Sequence, residues 1–210
     1  MKHIETLISR YPALASVEKQ LEEGYRLLED CYQRGGKLLT AGNGGSCADA
    51  EHIAGELMKG FCKKRPVSAD FAAALQGVDH QLGAALSESL EGALPAVALT
   101  GQGALASAFM NDKDPYGVFA QQIFGLGKAG DAFLAISTSG NSRNILMAAV
   151  TAKAMGMQVL ALTGEGGGKL AEIADVAVKV PVGETYQVQE LHLPVYHCWC
   201  LMLEDRFFRE

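Results

Sequence analysis

The 210-residue sequence lacks any apolar run near the ~18 residues that a membrane-spanning helix requires. It lacks a Lys/Arg stripe. With a net charge of −6 and a pI of about 5.4, a general nucleic-acid binder is excluded. Its one basic cluster, Lys63-Lys64-Arg65, is short and reads as a solvated helix end. The five cysteines are odd in number and form no C-x-x-C pair, which argues against a disulfide framework and a structural zinc knot. Cys198-Trp199-Cys200 lies in an apolar segment and reads as packed thiols. The opening Met1-Lys2-His3-Ile4-Glu5 has no signal-peptide core, so the expected location is the cytoplasm. Linkers, low-complexity tracts and internal repeats are absent. So are the Walker pattern with its lysine and G-x-G-x-x-G, which disfavours nucleotide hydrolysis and dinucleotide binding.

What is present is ordinary globular composition, 49% hydrophobic and 20% charged, which rules out intrinsic disorder. Twenty-four glycines without a G-X-Y period sit in clusters, the mark of tight loops. The hydrophobic pattern predicts a helical segment over 4–33, interrupted near Pro12. Apolar strands are expected at 37–41, 95–100, 131–136, 158–163 and 176–180. Helices are expected at 49–61, 116–126, 143–155 and 169–174, with a long one over about 188–208. The Ala/Leu-rich segment 67–92 fits one or two further helices. Apolar strands alternating with helices predict an α/β fold, a five-stranded parallel sheet with helices on both faces. Ligands of such sheets bind beyond the carboxyl ends of the strands, where both Gly/Ser-rich loops emerge.

Ser137-Thr138-Ser139-Gly140-Asn141-Ser142 joins a strand to a helix N-terminus. Free N–H groups, the helix dipole and neutral hydroxyls there suit a phosphate monoester; a plain N-cap with a polar turn is the alternative. In Gly42-Asn43-Gly44-Gly45-Ser46 the glycines let the backbone approach a ligand, and Asn43 offers a donor and an acceptor to a sugar hydroxyl. A simple strand-to-helix turn is equally compatible. On the following helix Ala50, Ile53, Ala54, Leu57, Met58 and Phe61 form the core face, and His52 and Glu56, four apart, stack on the other. That pair suits a solvated face, two metal ligands, or a carboxylate base beside an imidazole. The last helix is apolar nearly all round, so it is buried in a core or a subunit interface. Gln189 and His197 project from nearby sides of it; His197 and His192 also suit satisfied core histidines. Pro194 should kink this helix.

Taken in order, Gly42 to Ser46, His52-x-x-x-Glu56, Asn111-Asp112, Ser137 to Ser142, Leu162-Thr163-Gly164 and Gln189-Glu190-x-His192 with His197 resemble the sugar-isomerase (SIS) domain family, and within it the phosphoheptose isomerases. The resemblance covers most of the chain and implies one flavodoxin-like, three-layer αβα SIS domain over 1–210, with an N-terminal helical segment (1–33), a helical insertion (about 67–92) and a buried C-terminal helix (187–208). It implies that Ser137, Thr138, Ser139 and Ser142 hold the substrate phosphate. It implies that Asn43, Gly44, Gly45 and Ser46 line the sugar, and that Asn111, Asp112 and Gln189 add contacts. Glu56 and His197 match the acid/base pair; His52, Glu56, Gln189 and His197 match a zinc site of some members. The implied reaction is sedoheptulose 7-phosphate to glycero-manno-heptose 7-phosphate, through an enediol, towards nucleotide-activated heptose for lipopolysaccharide. The implied assembly is a homotetramer with active sites between subunits, without nucleic acid or membrane partners. Two other readings stay open: an isomerase or sensor of another phosphosugar, and a non-catalytic SIS tetramer that binds the bacterial replication initiator, a branch that typically loses the acidic residue retained here as Glu56. Three features depart from the family: the 67–92 segment, Tyr186-Gln187 where an Asp-Arg or Ala-Arg pair is common, and Pro194.

Overall fold

The computed structural model describes residues 2–208. The chain opens with α1 (Lys2–Arg10), breaks at Tyr11-Pro12 into a 3-10 turn, and continues as α2 (Glu18–Gln33). The break follows from proline, which disfavours helical backbone in the residue before it. The remaining elements are β1 (Leu38–Ala41), α3 (Gly45–Met58), α4 (Ala69–Val78), α5 (His80–Ser89), β2 (Ala96–Ala98), α6 (Gly103–Asp112), α7 (Val118–Leu126), β3 (Ala132–Ile136), α8 (Arg143–Ala154), β4 (Gln158–Thr163), α9 (Gly168–Ile173), β5 (Val176–Lys179) and α10 (Thr185–Phe207).

All five strands pair in parallel, in the order β2-β1-β3-β4-β5. This is the flavodoxin-like order, in which the chain reverses direction across the sheet between β1 and β3. Successive strand residues point to opposite faces. Leu38, Leu134, Leu160 and Val178 therefore join one core with α1, α2, α3 and α10. Leu39, Phe133, Val159 and Ala161 join the other, with α7, α8 and α9. The expected α/β class and three-layer arrangement are what the structure has.

Several local expectations are corrected. α3 starts at Gly45 rather than Asp49, because Gly44 turns the chain at φ +56, a conformation that costs glycine little. It ends at Met58, short of Phe61. The second strand is only three residues long and passes into a 3-10 turn at Leu99–Gly101. Helix α6 was not foreseen; it buries none of its residues, so it carries no amphipathic signal. The basic cluster is not a solvated helix end: Arg65 is 1% exposed and pairs with Glu204, and Lys63 pairs with Asp205.

Helix α10 runs unbroken through Pro194. The carbonyl left without its donor is that of Glu190, an exposed position where water can serve. Most of its apolar circumference is covered by the chain itself. Trp199 is 2% exposed and its indole N–H donates to the Leu21 carbonyl at 3.0 Å, which fixes the rotation of α10 against α2. Cys198 and Cys200 are buried free thiols as read from the sequence, and burial pushes Cys198 up to about 12. No helix among the described residues is long and apolar enough to cross a membrane.

Candidate active site

Strands β1 and β3 lie side by side, with Ala41 opposite Ala135. The loops that leave their carboxyl ends therefore meet at the reversal point. They are tied together by a reciprocal amide pair: Asn43 Nδ2 donates to Asn144 Oδ1 at 3.0 Å, and Asn144 Nδ2 donates back to Asn43 Oδ1 at 2.8 Å. Asn144 was missed from the sequence; its position just past Ser142, in the first turn of α8, was the available signal. A cleft of about 300 Å³ opens here, lined by Gly42, Asn43, Gly44, Cys47, Thr100 and Asn144 with an apolar wall from Leu99, Met110, Val118 and Phe119. Concave sites of this size with a few convergent polar groups suit small ligands.

The 137–142 loop is braced from within and from behind. Ser137 Oγ donates to Ser142 Oγ at 3.0 Å. Gly140 has φ +64, and a side chain there would collide with the Gly167 carbonyl. The Asn141 carboxamide oxygen accepts from the Lys169 amide at 3.1 Å, and the Thr138 carbonyl accepts from Gly164 N at 2.9 Å. Thr138 is half-buried and Ser139 exposed. The N-cap residue Ser142 makes no side-chain bond to α8, whose N-terminal end, apart from the Ile145 amide taken by Asn144 Oδ1 at 3.0 Å, is left to a ligand.

The third component lies along α3 and α10. The His52 ring sits edge-on to that of His197, with centroids 4.9 Å apart. His52 Nε2 is 3.1 Å from Glu56 Oε1, and His52 Nδ1 is 3.0 Å from the Tyr196 hydroxyl. That hydroxyl donates to Asp49 Oδ1 at 3.2 Å. Its oxygen is then the acceptor for His52 Nδ1–H, so the Nε2 of a neutral His52 ring keeps its lone pair. Asp49 and Tyr196 were not foreseen; Asp49 lies one turn before His52 on α3, which was the only hint. Burial raises the Asp49 carboxyl, opposed by the Tyr196 hydroxyl and His52. Burial raises the Tyr196 phenol too, with Asp49 adding to it. His197 is lowered, first by burial and then by His52, with Glu56 opposing, so the ring is neutral near pH 7. Its Nε2 is buried with no hydrogen-bond partner.

The structure thus brings His197, from the far end of the sequence, to His52 and Glu56 on α3. Gln189 lies two turns away on α10, where a side chain on Gly45 would press against its carboxamide. Ser46 is buried in the first turn of α3 rather than facing the cleft. Asn111 and Asp112 stand apart: both are exposed at the end of α6, bonded to each other at 2.8 Å, while Met110 lines the cleft. His197 borders a groove of about 190 Å³ between α1 and α10, separate from the cleft that Asn43 and Asn144 line. His192 is fully buried, and neither ring nitrogen has a partner, contrary to the satisfied core histidine expected.

For zinc, the donor types fit: two imidazole nitrogens, one orphaned and one with its lone pair freed by Tyr196, beside a carboxylate. Among the described residues no three His, Cys, Asp or Glu side chains form a ready-made metal cluster.

Comparison with known proteins places these features in context. The SIS domain family model matches residues 3–92 and 81–164. The phosphoheptose isomerase of Thiobacillus denitrificans is 40% identical over 91% of this chain and 86% of its own length, and that of Aneurinibacillus thermoaerophilus is 36% identical over 99% and 93%. Among solved structures, the phosphoheptose isomerase of Neisseria gonorrhoeae superposes with a TM-score of 0.74 at 32% identity, covering 96% of this chain and 94% of that one. The enzyme from Francisella tularensis gives 0.74 at 29% identity, over 97% and 95%.

Proposed function

The chain belongs to the SIS domain family, and from that premise we infer that it is a phosphoheptose isomerase, interconverting sedoheptulose 7-phosphate and glycero-manno-heptose 7-phosphate. The single observation that carries the site assignment is the cluster in which Glu56 and His197 meet around His52.

The chemistry needs a proton moved between C1 and C2 of the sugar through an enediol, with acid/base service at the two oxygens. Glu56, a half-buried carboxylate, takes the C1 proton and returns it at C2. His197, held neutral by burial, exchanges a proton with a sugar oxygen through its unpartnered Nε2. His52, oriented by Tyr196 and Asp49, sets its Nε2 beside Glu56 Oε1 at 3.1 Å. Ser137, Thr138, Ser139 and Ser142 with the open end of α8 take the phosphate, whose charge favours a helix N-terminus. Asn43, locked by Asn144, presents its amide to the sugar chain. Zinc, when bound, would be held by His52, Glu56, Gln189 and His197 and would supply Lewis-acid stabilisation of negative charge on the sugar oxygens.

We place the enzyme in a homotetramer in the cytoplasm, supplying a heptose precursor for cell-surface glycans. Support for assembly comes from two features. His197 lines the groove between α1 and α10 while Asn43 and Asn144 line the cleft at the reversal point, so a neighbouring copy would complete the site. The α4–α5 hairpin leaves Phe71, Val78 and Leu82 exposed, at 48%, 90% and 65%. Light scattering of the purified protein reads the assembly.

The deciding experiment is Glu56→Gln assayed on sedoheptulose 7-phosphate. Loss of a positioned general base lowers turnover by about 100- to 10,000-fold. Retention of full turnover would remove Glu56 from the role of base.

A further inference from the structure

The sequence's one basic cluster ends in a residue that the mechanism above does not use. Arg65 is among the largest fully buried side chains, and nothing in an apolar core requires a guanidinium. Each of its three nitrogens donates. Nε donates to Glu204 Oε1 at 2.9 Å, Nη1 to the Leu57 carbonyl at 2.9 Å, and Nη2 to the Glu56 carbonyl at 3.2 Å. The Phe208 ring closes over the guanidinium carbon at 4.3 Å.

The two carbonyls belong to the last turn of α3, where no further helical N–H is available to them. Arg65 therefore grips the main chain of Glu56 itself. Its counter-ion lies on α10 seven residues past His197, two turns on and on the same face. Glu204 also accepts from the amides of Phe61 and Cys62, both at 2.9 Å. Phe61 in turn packs its ring against His197, with centroids 5.4 Å apart. Burial alone would raise the Glu204 carboxyl; the two amides and Arg65 outweigh it and hold it below its ordinary range.

We propose that Arg65 is a positioning residue for the Glu56–His197 pair, clamped by Glu204 so that the end of α3 and the imidazole on α10 keep one fixed relation. The proposal rests on the reading of Glu56 and His197 as the acid/base pair. A guanidinium is needed because three acceptors lie in different directions in its plane; an ammonium on a flexible stem cannot hold all three in fixed geometry. The clamp also closes the base of the α4–α5 hairpin, because the Arg65 carbonyl accepts from Gly92 N at 2.6 Å. The hairpin can thus differ in its outer sequence without disturbing Glu56.

The test compares Arg65→Lys, Glu204→Gln and, as a control for lost stability, Val159→Ala in the opposite core. Each is assayed on sedoheptulose 7-phosphate well below its melting temperature, with the fold checked by circular dichroism. Arg65→Lys is expected to lower kcat by about 10- to 100-fold, the scale of a small misplacement of reacting groups. KM should stay within about twofold, because the phosphate loop is on other elements. Glu204→Gln keeps one acceptor oxygen, so it holds at most one of the two amides, and it loses the charge; its kcat falls as well, with KM again unchanged. Val159→Ala keeps kcat at a matched loss of melting temperature. The proposal is overturned if the folded Arg65→Lys protein keeps kcat within about twofold, or if its loss appears equally in KM or in the Val159→Ala control. Should Arg65→Lys fail to fold, the same criteria apply to Glu204→Gln. Glu56→Gln runs alongside: full turnover there overturns the acid/base reading itself, whereas an inactive Glu56→Gln beside a fully active Arg65→Lys overturns only the clamp.

Discussion

Acidification should weaken this protein through His192. The ring is fully buried beside the Thr163 backbone, and neither nitrogen makes a well-formed hydrogen bond. Burial pushes it from 6.5 down to about 4, opposed only by the backbone at Thr163. In the unfolded chain the same ring protonates as pH falls through its ordinary value. Between those two values the unfolded state binds more protons than the native one, so stability falls as pH falls. The contribution is fully present above pH 6.5 and is lost progressively down to about pH 4. From pH 7 to pH 4.5 the loss amounts to about 2 kcal/mol, at 1.36 kcal/mol per pH unit over most of that interval. The assay is urea unfolding at several pH values and fixed protein concentration, for the parent and for His192→Leu, which keeps the volume and removes the titration. The stability difference between the two proteins should swing by about 2 kcal/mol in favour of the variant over that range. Groups common to both, His197 and Asp49 included, cancel. A difference that stays flat with pH would refute the reasoning, because a buried, unpartnered imidazole cannot titrate at its solution value.

Other perturbations probe the site directly. Thr138→Val and Ser142→Ala should each raise KM for the sugar phosphate several-fold to about tenfold and weaken inhibition by inorganic phosphate in parallel, since each removes one donor to the anion. Asn144→Ala unpairs Asn43; steady-state kinetics should show a KM increase of about 5-fold with kcat less affected. Gly140→Ala combines a left-handed backbone with a collision against Gly167, and calorimetry should register a loss of about 2–4 kcal/mol. Elemental analysis after zinc addition and gel filtration should find one zinc per chain in the parent and far less in His52→Ala; equal zinc in both would remove His52 from the ligand set.

The layered architecture was readable because parallel strands buried on both faces appear as unbroken apolar runs, and 38–41, 132–136 and 158–163 are of that kind. Both Gly/Ser loops were readable because glycine and hydroxyl clusters have few other uses between a strand and a helix. Helix α6 was not, since a helix with no buried face leaves no period. Arg65 was misread for a related reason. A cation beside two lysines looks solvated, and only its partner Glu204, far along the chain, reverses that. Tyr196 was absorbed into the apolar count of α10, although its hydroxyl orients His52. Side chains that serve at one end as core and at the other as a hydrogen bond carry no distinct pattern.

The unusual composition of α10 follows from what it has to touch. Val188 packs on Gly164, which bonds the Thr138 carbonyl of the 137–142 loop, Gln189 lies on Gly45, Tyr196 and His197 meet His52, and Glu204 takes Arg65. From Gln189 to Glu204 a straight helix advances about 22 Å, enough to run from the phosphate loop to the far end of α3. A helix used in this way is flanked by protein on several sides, so its remaining positions must be apolar. Its polar residues recur where a partner waits rather than on one solvent face. That is why hydrophobicity all round and a scatter of Gln, His, Tyr and Glu occur together in one segment. Pro194 is tolerated for the same reason: tertiary contacts at Trp199 and Tyr196, rather than one main-chain hydrogen bond, hold the helix in register with α3.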